Sequence, residues 1–72
     1  MPRLPRVSGL ETIRALERLG FQRVRQRGSH VVLRKGDVGC VVPVHDELMV
    51  GTLRSVLRMA GVTIEDFIEA LK

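Results

Sequence analysis

Tryptophan and tyrosine are absent from this sequence and phenylalanine occurs only twice, so a core has to be assembled from Val, Leu and Ile. The same shortage leaves no aromatic platform on which unpaired bases would stack. A single cysteine, Cys40, excludes an internal disulfide, and no Cys/His cluster with metal-ligand spacing is visible, so neither a metal nor another cofactor is expected. No apolar run approaches the ~20 residues of a membrane span. Met1 to Arg6 is a proline-broken basic stretch with no apolar segment behind it, unlike a secretory leader. The expectation is a cytoplasmic chain, neither secreted nor membrane-spanning.

Acidic residues are the minority charge. Twelve Lys and Arg against eight Asp and Glu give a net charge of +4, which makes a polyanion, an anionic membrane surface or an acidic protein the natural partner. Ten of the twelve cations are arginine, as bidentate phosphate contacts favour and as a GC-rich genome also produces. With 72 residues the chain holds one core, read here as a single domain over 1–72 with an extended tail at 1–6. A domain of this size buries only about 60% of its unfolded surface, so stability is modest and a permanent partner would add to it.

Pro2 and Pro5 keep the tail extended, and Ser8 with Glu11 three places on forms a capping box that starts a helix. Leu10, Ile13, Leu16 and Leu19 outline its apolar face, and Gly20 stands where a left-handed terminating residue belongs. From Phe21 to Arg27 the period changes to two, with Arg23, Arg25 and Arg27 on one face of a first strand and Val24 on the other. Gly28-Ser29 reads as a turn, His30 to Lys35 as a second strand, Gly36 to Gly39 as another turn and Cys40 to Val44 as a third strand. After His45-Asp46-Glu47, Val50, Leu53, Val56, Leu57 and Ala60 outline a second helix that Gly61 ends. Thr63 caps a short last helix whose Ile64, Phe67, Ile68 and Leu71 face inward. The order is α-β-β-β-α with a helical tail, an α+β fold with helices on one face of a three-stranded antiparallel sheet.

The hairpin between the second and third strands brings two histidines together. With Gly36 to Gly39 as a four-residue loop, Lys35 pairs with Cys40, Leu33 with Val42, Val31 with Val44, and His30 with His45. Val31, Leu33, Cys40, Val42 and Val44 then face the core, and His30, Val32 and Arg34 share the outer face with Val41, Pro43 and His45. The pairing shifts with any change in loop length.

Imidazole titrates at about 6.5 in model peptides, and so accepts and returns protons near neutral pH. RNA supplies its own nucleophile. A base that removes the 2′-hydroxyl proton lets that oxygen attack the adjacent phosphorus, while Arg or backbone N–H groups stabilise the growing charge. Blander readings stand beside each feature. A strand-end histidine is commonly an exposed polar residue, and His45 is equally suited to a turn hydrogen bond with Asp46. Gly28-Ser29 suits ordinary turn chemistry, and Arg23, Arg25 and Arg27 suit a solvated strand face as well as a phosphate track. Arg54 and Arg58 fit phosphate binding, an acidic partner or simple solubility. Cys40, alternating with core valines, reads as inert packing.

Gly20-Phe21, Arg27-Gly28-Ser29-His30, Val42-Pro43-Val44-His45 and Gly51-Thr52-Leu53-Arg54-Ser55-Val56-Leu57, in this order and spacing, resemble the HicA toxin family of bacteria and archaea. The resemblance runs from about Leu4 to Leu71. It implies a double-stranded-RNA-binding-domain-like α-β-β-β-α fold and an mRNA interferase that arrests translation. It also implies that the histidine of the Gly-Ser-His motif, here His30, is catalytic, and that a HicB antitoxin is the partner that masks the site. His45 matches a histidine recurrent in the family pattern, with no role carried over. True double-stranded-RNA-binding domains open their second helix with a lysine cluster, whereas here it opens Val50-Gly51-Thr52-Leu53-Arg54, so single-stranded mRNA is the expected substrate.

The reading is therefore a metal-independent endoribonuclease toxin. His30 is its acid or base, Ser29, the Gly28 backbone and His45 are further catalytic or phosphate-positioning candidates, and Arg23, Arg25, Arg27, Arg34, Arg54 and Arg58 are RNA-binding candidates. A non-catalytic RNA-binding module and a partner-binding protein without RNA activity are the alternatives.

Overall fold

The structure, a computed structural model, describes residues 3–72; the part of the expected tail formed by Met1 and Pro2 lies outside the described residues. Element order is α1 (Gly9–Arg18), β1 (Gln22–Arg27), β2 (His30–Lys35), β3 (Val38–Pro43), α2 (Val50–Ala60) and α3 (Ile64–Leu71). The strands form one antiparallel sheet in the order β1-β2-β3. This is the α-β-β-β-α arrangement expected from the sequence.

α1 begins at the expected capping box. The Ser8 hydroxyl accepts from the Glu11 N–H at 3.0 Å and the Glu11 carboxylate accepts from the Ser8 N–H at 2.9 Å, satisfying two of the donors a helix start leaves open. Ile13 and Leu16 of the expected stripe are buried, with Gly9, Thr12 and Ala15 beside them, and Leu19 packs against the core, while Leu10 is 37% exposed. Steps of three residues drift around a helix, and over the nine residues from Leu10 to Leu19 the drift reaches ~180°. Leu10, at the start of the stripe, is the residue that this drift turns toward solvent. α2 buries Leu53, Val56, Leu57 and Ala60 and stops at Gly61, whose φ of 69° is the left-handed conformation glycine adopts without strain. Val50, expected on its inner face, is exposed, and Leu48 just before the helix is buried in its place. Thr63 caps α3 through the Asp66 N–H at 3.1 Å, and Phe67 is completely buried.

The β2–β3 pairing differs from expectation in loop length. Lys35 pairs with Val38, Leu33 with Cys40, Val31 with Val42, and His30 with Pro43, so the turn is only Gly36-Asp37. Gly36 has a φ of 60° and Asp37 is not at positive φ, the pattern of a two-residue Gly-X hairpin turn whose twist matches the flanking strands. Val38 and Gly39 are therefore strand residues. A shift of two preserves which side chains face inward, so Val31, Leu33, Cys40 and Val42 are buried as expected, while Val44 lies past the strand end and is exposed. These four residues and the inner faces of the helices make one core, and α1 and α2 both pack on β3.

β1 contains a bulge. Arg23 pairs with Leu33 but Arg25 pairs with Val32, so Val24 is the extra residue. Directly opposed residues share a face, which divides the three arginines. Arg23 lies on the helix side with Leu33, and Arg25 and Arg27 lie on the outer side with Val32 and His30. The expected alternation with all three on one face fails because one inserted residue inverts everything before it.

Candidate functional site

His30 opens β2 immediately after the Gly28-Ser29 turn. Arg27 pairs with His30 across two residues only, and Gly28 has a φ of 55° with Ser29 not at positive φ, the same Gly-X geometry as at Gly36-Asp37. A Cβ on Gly28 would meet nothing within 4 Å, so glycine is required here by backbone conformation and not by space. The Gln26 side-chain amide donates to the Gly28 carbonyl at 3.0 Å and braces the turn. This short loop holds the His30 backbone in a fixed place while its side chain stands in solvent.

The outer face around His30 is a strip of mixed character. Arg27 lies directly across on β1 and Pro43, which is buried, directly across on β3, followed along β2 by Val32 between Arg25 and Val41, then by Arg34 between Gln22 and Gly39. His30, Arg25, Arg27 and Arg34 are all exposed. At ~3.3 Å per residue, Arg34 stands about 13 Å from His30 along the strand, a spacing that spans roughly two nucleotides of an extended backbone. Among the described residues, the side chains of His30, Arg25, Arg27 and Arg34 make no hydrogen bond or ion pair within the fold, so their donors face solvent.

Arg23 is engaged elsewhere. Its guanidinium forks onto the Glu17 carboxylate of α1 at 3.1 and 3.4 Å, on the far side of the sheet from His30. Arg54 and Arg58 are exposed on α2, in the helical layer, and the structure does not bring them to the outer face.

The two histidines are neighbours without being opposed. The Val44 N–H donates to the Ser29 carbonyl at 2.6 Å, extending the β2–β3 ladder by one pair, and His45 follows beyond it. There the His45 carbonyl accepts from the Gly9 N–H at 2.8 Å and its side chain is exposed. His45 therefore flanks the turn rather than facing His30.

Cys40 is packed under the sheet, where burial pushes its thiol up to about 11. It stays protonated at neutral pH and has no access to the outer face, in keeping with inert packing. Among the described residues, no three His, Cys, Asp or Glu side chains converge to hold a metal ion, and no helix is long and apolar enough to cross a membrane. A cavity of about 330 Å³ opens at the other end of the sheet, where Lys35 and Val38 meet Leu19, Phe21 and Asp66. It is well separated from His30 along β2.

Residues that pattern reading passed over also shape the site. Gly9 is buried at the first position of α1, and a Cβ there would fall on the Pro43 carbonyl oxygen and 2.9 Å from the Val44 Cα. The signal lay in plain view, since glycine is a poor helix former and a glycine directly after a strong cap calls for a packing reason.

No curated protein matches the chain. Residues 9–62 match the family model described as HicA toxin of bacterial toxin-antitoxin, a stretch that runs from the first residue of α1 through the Gly-Ser-His turn to just beyond α2. Since that match takes in the whole sheet, both flanking helices and most of the sequence, the chain belongs to the HicA toxin family.

Proposed function

We propose that this toxin is an endoribonuclease that cleaves mRNA and so arrests translation, with His30 as its acid–base residue. The observation that carries the reading is an exposed imidazole on the first residue of β2, directly after a two-residue turn, with Arg27 directly across from it on a sheet face that also carries Arg25 and Arg34. RNA lying on this face presents phosphates to the guanidinium groups, which suit bidentate oxygen recognition. His30 takes the proton of a ribose 2′-hydroxyl, the oxygen attacks the adjacent phosphorus, the P–O5′ bond breaks as the 5′-oxygen takes a proton from water, and His30 afterwards returns its own proton to the solvent. The products are a cyclic phosphate and a 5′-hydroxyl. Because the ribose supplies the nucleophile, the step needs no metal-activated water.

Within this reading Ser29, the Gly28 backbone and His45 flank the scissile phosphate, and Arg25, Arg27 and Arg34 hold the strand. This reading gives Arg23, which lies on the helix side of the sheet beside Glu17, no part in holding the strand; Arg54 and Arg58 serve a longer RNA or the partner. The partner is a cognate HicB-type antitoxin, which would silence the toxin by covering this face in the cytoplasm. The absence of aromatic residues from the face suits backbone recognition more than base reading.

The decisive experiment incubates the purified chain with RNA in EDTA. Wild type should generate new ends, and His30→Ala should abolish them with an unchanged circular dichroism spectrum. Cleavage by a folded His30→Ala protein would move the chemistry to another residue. Salt-sensitive binding by wild type without new ends would instead make the chain an RNA-binding module.

A further inference from the structure

The segment that carries His45, between β3 and α2, has no regular structure of its own, yet it is tied down at both ends by the residues leading into α1. The Gly9 N–H donates to the His45 carbonyl at 2.8 Å, and the Leu48 N–H donates to the Val7 carbonyl at 2.8 Å, with Val7 and Leu48 both buried. The Ser8 capping box fixes the helix start between these two bonds. From there the restraint passes across the sheet. Pro43 pairs with His30, and the Val44 N–H is bonded to the Ser29 carbonyl at 2.6 Å. One short path of backbone contacts thus joins the first turn of α1 to both histidines.

Gly9 is the narrow point of that path. Its missing side chain lets the helix backbone sit directly against the Pro43 carbonyl and the Val44 Cα. Any larger residue must displace either α1, which the core holds through Ile13, Ala15 and Leu16, or the Pro43–Val44 backbone, which is the softer side because it ends an edge strand. Displacing Pro43 and Val44 moves the residues that face His30 and Ser29.

We propose that Gly9 is a positioning residue for the active site, acting through Pro43 and Val44 to hold the His45 segment against the turn that presents His30. The kinetic side of this proposal rests on the ribonuclease reading; the structural side does not.

The test uses the full chain as wild type, Gly9→Ala, and Leu57→Ala as a core-destabilised control remote from the turn, each studied at a temperature where it is folded. Gly9→Ala should lower kcat on an RNA oligonucleotide by about 10- to 100-fold, the scale that a misplacement of ~1 Å produces, with KM little changed. It should also shift the ring resonances of His30 and His45 in two-dimensional NMR spectra. Leu57→Ala should retain kcat per folded molecule and leave both rings where they are. Unmoved histidine resonances in folded Gly9→Ala, or a kcat loss matched by the control, would overturn the proposal. If Gly9→Ala does not fold, Ser8→Ala loosens the same helix start without adding atoms and should shift His45 more than His30; no shift would count against positioning. If wild type does not cleave RNA, the ribonuclease reading fails and the resonances alone decide the role of Gly9.

Discussion

The two faces of one strand divide the work of this protein. Along β2, Val31 and Leu33 point into a core that leaves them almost no solvent, while the side chains of His30 and Arg34 point the other way and make no hydrogen bond or ion pair among the described residues. Burial of the inner pair stabilises the domain, since each large aliphatic side chain removed from water contributes roughly 1.5–3 kcal/mol. The outer residues contribute little to folding and are free to meet a ligand. In a chain of 72 residues this separation matters, because stability is small enough that a site built from core groups would compete with it.

This contrast is open to direct attack. The largest expected effect is on the outer face: His30→Ala should remove the ~10²- to 10⁴-fold contributed by acid–base catalysis while the melting temperature stays where it was, so cleavage assays and thermal melts should part company. Leu33→Ala, the residue three places on, should do the opposite and lose about 2–5 kcal/mol in a denaturant titration, with activity per folded molecule preserved. A loss of activity at full folding would show that the faces are coupled.

The arginines provide a finer division. Arg25→Ala and Arg27→Ala should each weaken RNA binding and flatten its salt dependence, by a slope of about 0.7 for every phosphate that is no longer neutralised. Arg23→Ala should leave that slope unchanged and lose only the ~0–1 kcal/mol typical of an exposed ion pair. Equal effects from all three would erase the distinction made by the bulge.

The smallest effect concerns Cys40. Its folded value of about 11 lies above the ordinary 9.0, so the unfolded chain loses the thiol proton first as pH rises. Stability should therefore be unaffected below pH 9 and decline between about 9 and 11. Cys40→Ala should abolish that decline in alkaline melts.

Much of this arrangement is written in local chemistry. Ser8 with Glu11, Thr63, Gly20 and Gly61 mark helix ends because each solves a backbone problem that few other residues solve, and every one sits where its chemistry demands. The Gly-Ser-His turn is legible for the same reason. Less visible are features that depend on counting across space. The bulge at Val24 has no side-chain signature, since a valine in a strand looks like any other, and it divides arginines that alternate in the sequence. The Gly36-Asp37 loop is legible in principle, but Gly39 two residues later invites a longer turn and with it an opposed pair of histidines. Gly9 and Leu48 serve contacts between segments far apart in the chain, which no pattern of period two or 3.6 records.

α3 carries a consequence for where this molecule begins and ends as a physical object. The stretch that bears the family signature stops at residue 62, yet one of the fully buried side chains of the core is the aromatic ring of Phe67, and the Arg18 guanidinium reaches across to fasten the Ala70 carbonyl at 2.7 Å. A protein trimmed to its recognisable part would retain every proposed catalytic group and lose its keystone, a deletion on the order of the 3–5 kcal/mol that accompanies removal of a buried phenylalanine. The part of the sequence that can be recognised therefore leaves out part of the core that holds the domain together.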